Sequence, residues 1–332
     1  MSWSKLPGAW RALVLALPVC LAAPQPVGAE TLRERIAARL AERQTQRQGD
    51  ELDGDEAGRR AELPAGVRVL RDIAYGPDRR QRFDVYLPAE ARAQAGGMPV
   101  IFMVHGGAWA IGGKAMAAVV ENKAARWVPA GMALVSIDYR MLPEADPVEQ
   151  ARDVARALAA AQARAAEWGG DPRRFVLMGH SAGAHLIALV GSDPALAAGA
   201  GPWLGSVLLD SAALDVEAIM NMRHLGLYDR AFGQDPAFWR AASPYRALAR
   251  PAPPVLAVCS SRREAACPHA RRYVDKATGL GMRAAVLPQD LTHRDINLQL
   301  GLPGAYTAAV EGFMASLDPA LARALAVAAA PH

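Results

Sequence analysis

Residues 175–183 read Phe175-Val176-Leu177-Met178-Gly179-His180-Ser181-Ala182-Gly183. Residues 175–178 have the continuous apolar character of a buried strand, and residues 182–190 read as an apolar helix. Between them stands G-x-S-x-G, in the strand–turn–helix context that gives the motif meaning. The chain must reverse sharply here, so glycines flank the serine where a Cβ would clash. The turn lifts the Ser181 hydroxyl above the sheet edge, and the following helix N-terminus favours negative charge developing there. Ser181 is therefore the candidate nucleophile.

Working outward, residues 100–104 and 132–137 are further apolar runs, as strands covered on both faces require. Residues 147–168 repeat Val148, Ala151, Val154, Leu158, Ala161, Ala165 and Trp168 at spacings of three and four, the stripe of an amphipathic helix. Strands follow at 206–209, 255–258 and 283–287, with a helix at 268–279 and a last one carrying Tyr306, Val310, Phe313 and Leu317 inward. Upstream, 67–73 and 82–87 alternate like a hairpin around Gly76-Pro77-Asp78. This alternation predicts an α/β domain over 67–318, with a mostly parallel sheet covered by helices on both faces. An Ala-rich tail, 319–332, is expected beyond it. Residues 211–253 break the rhythm with Met220, Met222, Tyr228, Phe232, Phe238 and Trp239. Asp235-Pro236 and Ser243-Pro244 each have the form of an N-cap followed by proline at the first helical position. The segment reads as a cap over the C-terminal edge of the sheet, against the alternative of an extra packing helix with no ligand role.

The second motif is His105-Gly106-Gly107-Ala108-Trp109, directly after the strand at 100–104. Acyl transfer needs donors aimed where the tetrahedral oxyanion forms. The N–H groups of Gly106, Gly107 and Ala182 are the candidates, with Ala108 as a substitute. Together with Tyr139-Arg140-Met141-Leu142-Pro143-Glu144, these motifs make residues 67–317 resemble the α/β-hydrolase superfamily, in its hormone-sensitive-lipase-like and acetyl-esterase (carboxylesterase) branch.

The resemblance implies an α/β-hydrolase fold and a triad in the chain order Ser, acid, His. Of the downstream histidines, His293 follows the strand at 283–287 by a short loop, where the family places its base; His269 is the fallback. The family's acid is usually Asp in a G-x-x-D-x-x-V-P stretch. Here the chain reads Cys259-Ser260-Ser261-Arg262-Arg263-Glu264-Ala265-Ala266-Cys267-Pro268. Anchoring on Pro268 puts Glu264 at the acid position, whereas anchoring on the strand puts Arg263 there. Asp210 and Asp290 are the alternative acids. The expected activity is hydrolysis of short-chain acyl or small aryl esters through an acyl-enzyme, with no cofactor and no metal. Arylformamidase-type amide hydrolysis shares both motifs, and a catalytically inactive fold that binds a ligand is the third reading.

Composition narrows the field. The 332 residues carry 37 basic and 33 acidic side chains, for a net charge of +4, without a basic run or Arg–aromatic interleaving. Nucleic-acid binding is not expected. Lys5 and Arg11 followed by apolar residues 12–23 and Val27-Gly28-Ala29 form a secretory signal over 1–29, too short to span a bilayer. The expected location is the periplasm or the exterior, without stable membrane insertion after cleavage. Acylation of Cys20 is disfavoured by bulky Val19. Residues 30–66 read as a charged segment and linker. Cleavage leaves Cys259 and Cys267, a candidate disulfide in an oxidising compartment, against the alternative of two buried small hydrophobes. Neither these cysteines nor His180 and His185 have the spacing of a zinc site. The expected partner is a small-molecule ester.

Overall fold

The computed structural model describes residues 59–90 and 96–329. The expectations for the signal over 1–29, for Cys20 and for the linker up to residue 58 lie outside these described residues. Eight strands form one sheet in the order β1-β2-β4-β3-β5-β6-β7-β8. β1 (Val67–Ala74) and β2 (Arg82–Pro88) make the N-terminal hairpin, and β2 is also antiparallel to β4 (Ala133–Ile137). The remaining strands run parallel: β3 (Met98–Val104), β5 (Gly170–His180), β6 (Gly205–Leu209), β7 (Val255–Ser260) and β8 (Ala284–Gln289).

The continuous apolar runs are explained by the two faces they serve. Val100, Phe102 and Val104 point into one hydrophobic cluster, whereas Ile101 and Met103 point into the other. Every residue from Val100 to Val104 is fully buried, so neither face tolerates a polar position. The first face is covered by α2 (Pro147–Arg164), α3 (Ala182–Ser192) and α8 (Ala266–Gly279). The second is covered by α1 (Ala117–Trp127), α10 (Ala305–Ala315) and α11 (Pro319–Ala329). α2 starts where it does because Asp146 accepts hydrogen bonds from the N–H groups of Val148 and Glu149 while Pro147 takes the first helical position. Such a cap contributes about 1 kcal/mol.

Two expectations are corrected. Residues 319–329 are not a tail: they form α11, which buries Leu321 and Leu325 against the second face. Ser243 does not cap its helix; its hydroxyl accepts the Val216 N–H at 3.2 Å, tying the start of the insertion to its end. The insertion itself is four short helices, α4 (Val216–Met220), α5 (Gly226–Phe232), α6 (Pro236–Ala241) and α7 (Pro244–Ala247). Asp235 caps α6 through the Ala237 N–H at 2.8 Å.

Candidate active site

The site lies beyond the carboxyl ends of β3, β5 and β6, where β3 stands between β4 and β5 and the direction of winding reverses. Open α/β sheets place ligands at this crevice. Ser181 joins β5 to α3 with φ 53° and ψ −117°, a backbone strained for a residue bearing a Cβ. Its N–H is fixed to the Leu209 carbonyl at 2.9 Å. Gly183 shows why the turn needs glycine: a Cβ there would stand 2.3 Å from the Val104 carbonyl oxygen. The strain is held because strand, turn and helix are all buried around it.

The candidate oxyanion loop, from His105 to Trp109, follows β3 and is also strained. Gly107 has φ +106°, and a Cβ on it would fall 2.0 Å from the Ile111 carbonyl oxygen. Ala108 and Trp109 follow at φ 49° and 61°. Neighbouring elements hold this shape. The Tyr139 hydroxyl donates to the His105 carbonyl at 3.0 Å, and the Leu142 N–H and Gln150 side chain both donate to the Trp109 carbonyl at 2.9 Å. The Tyr139–Glu144 segment thus braces the loop. A cavity of about 20 Å³, room for roughly one water, opens beside Ser181. Ala108 and Ala182 line it, as do Leu227 and Tyr228 of the insertion, which therefore covers Ser181. Gly106 and Gly107 are not part of this wall, and the Gly106 carbonyl is 2.7 Å from His105 Nδ1. A larger cavity of about 650 Å³ lies around Met98 and Trp168, at the opposite edge of the sheet.

His293 opens α9 (His293–Leu298), whose N-cap Thr292 accepts the Asp295 N–H. Its Nδ1 is 2.7 Å from Oδ2 of Asp210, and both side chains are buried. Asp210, directly after β6, has φ 55° and accepts the Ser260 N–H on Oδ1 at 2.8 Å. Burial alone would raise the Asp210 pKa, but the Arg263 charge and the His293 hydrogen bond hold it well below the usual carboxylate range. Burial, Arg263 and His180 push His293 down, against the pull of Asp210.

Glu264, expected to orient the imidazole, does not reach it. Its side chain is exposed, because the turn after β7 aims Arg263 inward and the next residue outward. Anchoring the family pattern on the strand rather than on Pro268 gives the register the fold adopts. Asp290 is exposed and paired with Arg262, and His269 lies in α8 with no link to Asp210 among the described contacts. Cys259 and Cys267 are bonded, bracketing the Arg263 loop. Among the described residues no group of three His, Cys, Asp or Glu side chains could hold a metal ion.

The sequence reading missed His185. Its Nδ1 accepts the Trp109 indole N–H at 3.1 Å and its Nε2 donates to the Ala242 carbonyl at 2.7 Å. Trp109, His185 and Phe232 pack edge-to-face, with Tyr228 tilted against Trp109 and stacked on Phe232, an aromatic cluster joining the loop after β3, the helix after Ser181 and the insertion. The only signal for this was the helical phase of His185, one turn beyond Ser181 on the same face.

The BD-FAE family matches residues 83–200, a stretch that holds both motifs and stops before Asp210 and His293. A probable isoprenylcysteine alpha-carbonyl methylesterase of Oryza sativa subsp. japonica is 36% identical over 121 residues, 36% of this chain and 27% of that protein. Esterase LipQ of Mycobacterium tuberculosis is 34% identical over 198 residues, 55% of this chain and 46% of the relative. The chain thus spans only about a quarter to a half of the length of these relatives. Among solved structures, a truncated carbohydrate esterase from gut microbiota superposes with a TM-score of 0.66 at 18% identity, covering 78% of this chain and 99% of that one.

Proposed function

We propose that this chain, which belongs to the α/β-hydrolase superfamily and within it to the hormone-sensitive-lipase-like esterase branch, cleaves carboxylic esters through an acyl-enzyme. The observation that carries the reading is the 2.7 Å contact from His293 Nδ1 to Asp210, set beside a strained serine at a strand-to-helix turn. Ser181 Oγ attacks the ester carbonyl as His293 Nε2 takes its proton. Asp210 fixes the tautomer with hydrogen on Nδ1 and stabilises the transient imidazolium. The N–H groups of Ala182 and of the Gly107-Ala108 turn receive the oxyanion. His293 then returns the proton to the departing alcohol, and water repeats the sequence to release the acid.

The small cavity beside Ser181, closed by Leu227 and Tyr228, favours short acyl groups or small aryl esters. Export follows from the basic start, apolar stretch and small residues of positions 1–29. The test is covalent: a fluorophosphonate should label the wild type at Ser181 and leave Ser181→Ala unlabelled. The same substitution should lower kcat on p-nitrophenyl acetate by about 10⁴ or more. A variant that kept a tenth of the activity would remove Ser181 from the mechanism.

A further inference from the structure

The turn after β7 carries a charge that acyl transfer does not itself require. Arg263 Nη1 donates to Oδ2 of Asp210 at 2.7 Å and to the Asp210 carbonyl at 3.1 Å, and stands 3.0 Å from Nδ1 of His293. Two donors, the imidazole and the guanidinium, therefore converge on one carboxylate oxygen, while Oδ1 is taken by the Ser260 N–H. The guanidinium stays charged at any working pH. Its loop is bracketed by the Cys259–Cys267 disulfide, and the Arg263 N–H reaches back to the Ser260 carbonyl at 3.3 Å.

We infer that Arg263 is a positioning residue that clamps Asp210 and, as a fixed positive charge against the imidazole, keeps His293 neutral and competent as a base in acidic solution. The inference rests on the reading of Ser181, His293 and Asp210 as the triad. A buried carboxylate by itself would stabilise the imidazolium. The Asp210–Arg263 pair presents little net charge, and the guanidinium stands almost as close to Nδ1 as the carboxylate does, 3.0 Å against 2.7 Å, offsetting its pull on the imidazolium. The other groups around His293 do not reverse this. His180, from the end of β5, has its ring 4.4 Å away and its Nε2 3.1 Å from the His293 carbonyl. Lys123, from α1, binds the far end of α9 at Asn297. The Tyr306 hydroxyl is bonded to the Ile296 carbonyl. Burial acts on His293 in the same direction as Arg263.

The test is the acid limb of kcat/KM against pH on p-nitrophenyl acetate, with fluorophosphonate labelling rates measured in parallel. Wild type, Arg263→Gln and Arg263→Lys are compared wherever the near-ultraviolet circular dichroism is unchanged. The wild-type limb should lie below about pH 5, well under an ordinary histidine. Arg263→Gln should move it upward by about one pH unit or more. Arg263→Lys should keep the limb low while lowering kcat, because an ammonium replaces the charge but not the rigid planar guanidinium that holds Nη1 on Asp210. A lower plateau with an unmoved limb in Arg263→Gln would reduce Arg263 to a structural brace and overturn the inference. Should Arg263→Gln fail to fold, as loss of one partner of a buried pair can cause, the wild type decides. A wild-type limb between about pH 6 and 7 overturns the inference without touching the esterase reading. A wild type that neither hydrolyses nor labels overturns both.

Discussion

Trp109 donates its indole N–H to Nδ1 of His185 at 3.1 Å, so the glycine loop after β3 and the helix after Ser181 are joined by a histidine that must be neutral to accept. The other ring nitrogen donates to the insertion at Ala242. One imidazole thus fixes three elements, and its protonation would break the first of these links.

Burial lowers the His185 pKa to about 4. The unfolded chain, with an ordinary histidine, therefore binds this proton first as pH falls. Stability from His185 is complete above about pH 6.5 and declines towards pH 4, by up to about 3 kcal/mol. His293 adds in the same direction. Urea unfolding at stepped pH should show this slope, and His185→Gln should flatten part of it. An equal slope in the variant would assign the effect elsewhere.

The acid is decided by three isosteric variants assayed on one short-chain ester. Asp210→Asn should lower kcat by about 10³–10⁴ with KM nearly unchanged, since the carboxylate acts mainly in the transition state. Glu264→Gln and Asp290→Asn should stay within about twofold of wild type, as exposed side chains away from the imidazole. A steep loss in Glu264→Gln would require a different loop conformation in solution.

Gly107→Ala would put a Cβ 2.0 Å from the Ile111 carbonyl oxygen at φ +106°. The loop must shift, carrying the Ala108 N–H with it. The expected result is a fall in kcat of about 10²–10³, the scale of losing one oxyanion donor. KM should change little. Steady-state kinetics with a thermal melt will separate this from simple unfolding.

The Cys259–Cys267 bridge closes a loop with a separation of 8 residues. A loop of this size constrains the unfolded chain by about 2.5 kcal/mol. Reduction, or the Cys259→Ser and Cys267→Ser pair, should lower Tm by several degrees. An unchanged melt would mean that strain or residual structure cancels the gain.

The order of strands and helices was legible because each is written in local pattern: two-faced strands such as residues 100–104 admit no polar position, and α2 repeats its apolar stripe every turn. The turn at Ser181 and the glycine loop after β3 were legible for a related reason. Both depend on backbone conformations and close approaches that few residues permit, so their glycines appear in the sequence itself. Residues 319–329 escaped because an alanine-rich stretch carries little pattern, and only docking of Leu321 and Leu325 makes it part of the core.

The sequence narrowed the partner of His293 to three carboxylates, favouring Glu264, but did not choose Asp210 among them. Glu264, Asp210 and Asp290 all stand near strand ends, and which one meets the imidazole depends on how far β6 and β7 extend and which way the turn after β7 faces. The fold aims Arg263 inward from that turn and Glu264 out to solvent, leaving the carboxylate at the end of β6 against the ring. Sequence determined the chemistry available at the sheet edge because turns and strands are local. Tertiary structure placed Asp210 against His293 because a hydrogen bond of 2.7 Å between residues 83 positions apart is fixed only by strand register and loop direction.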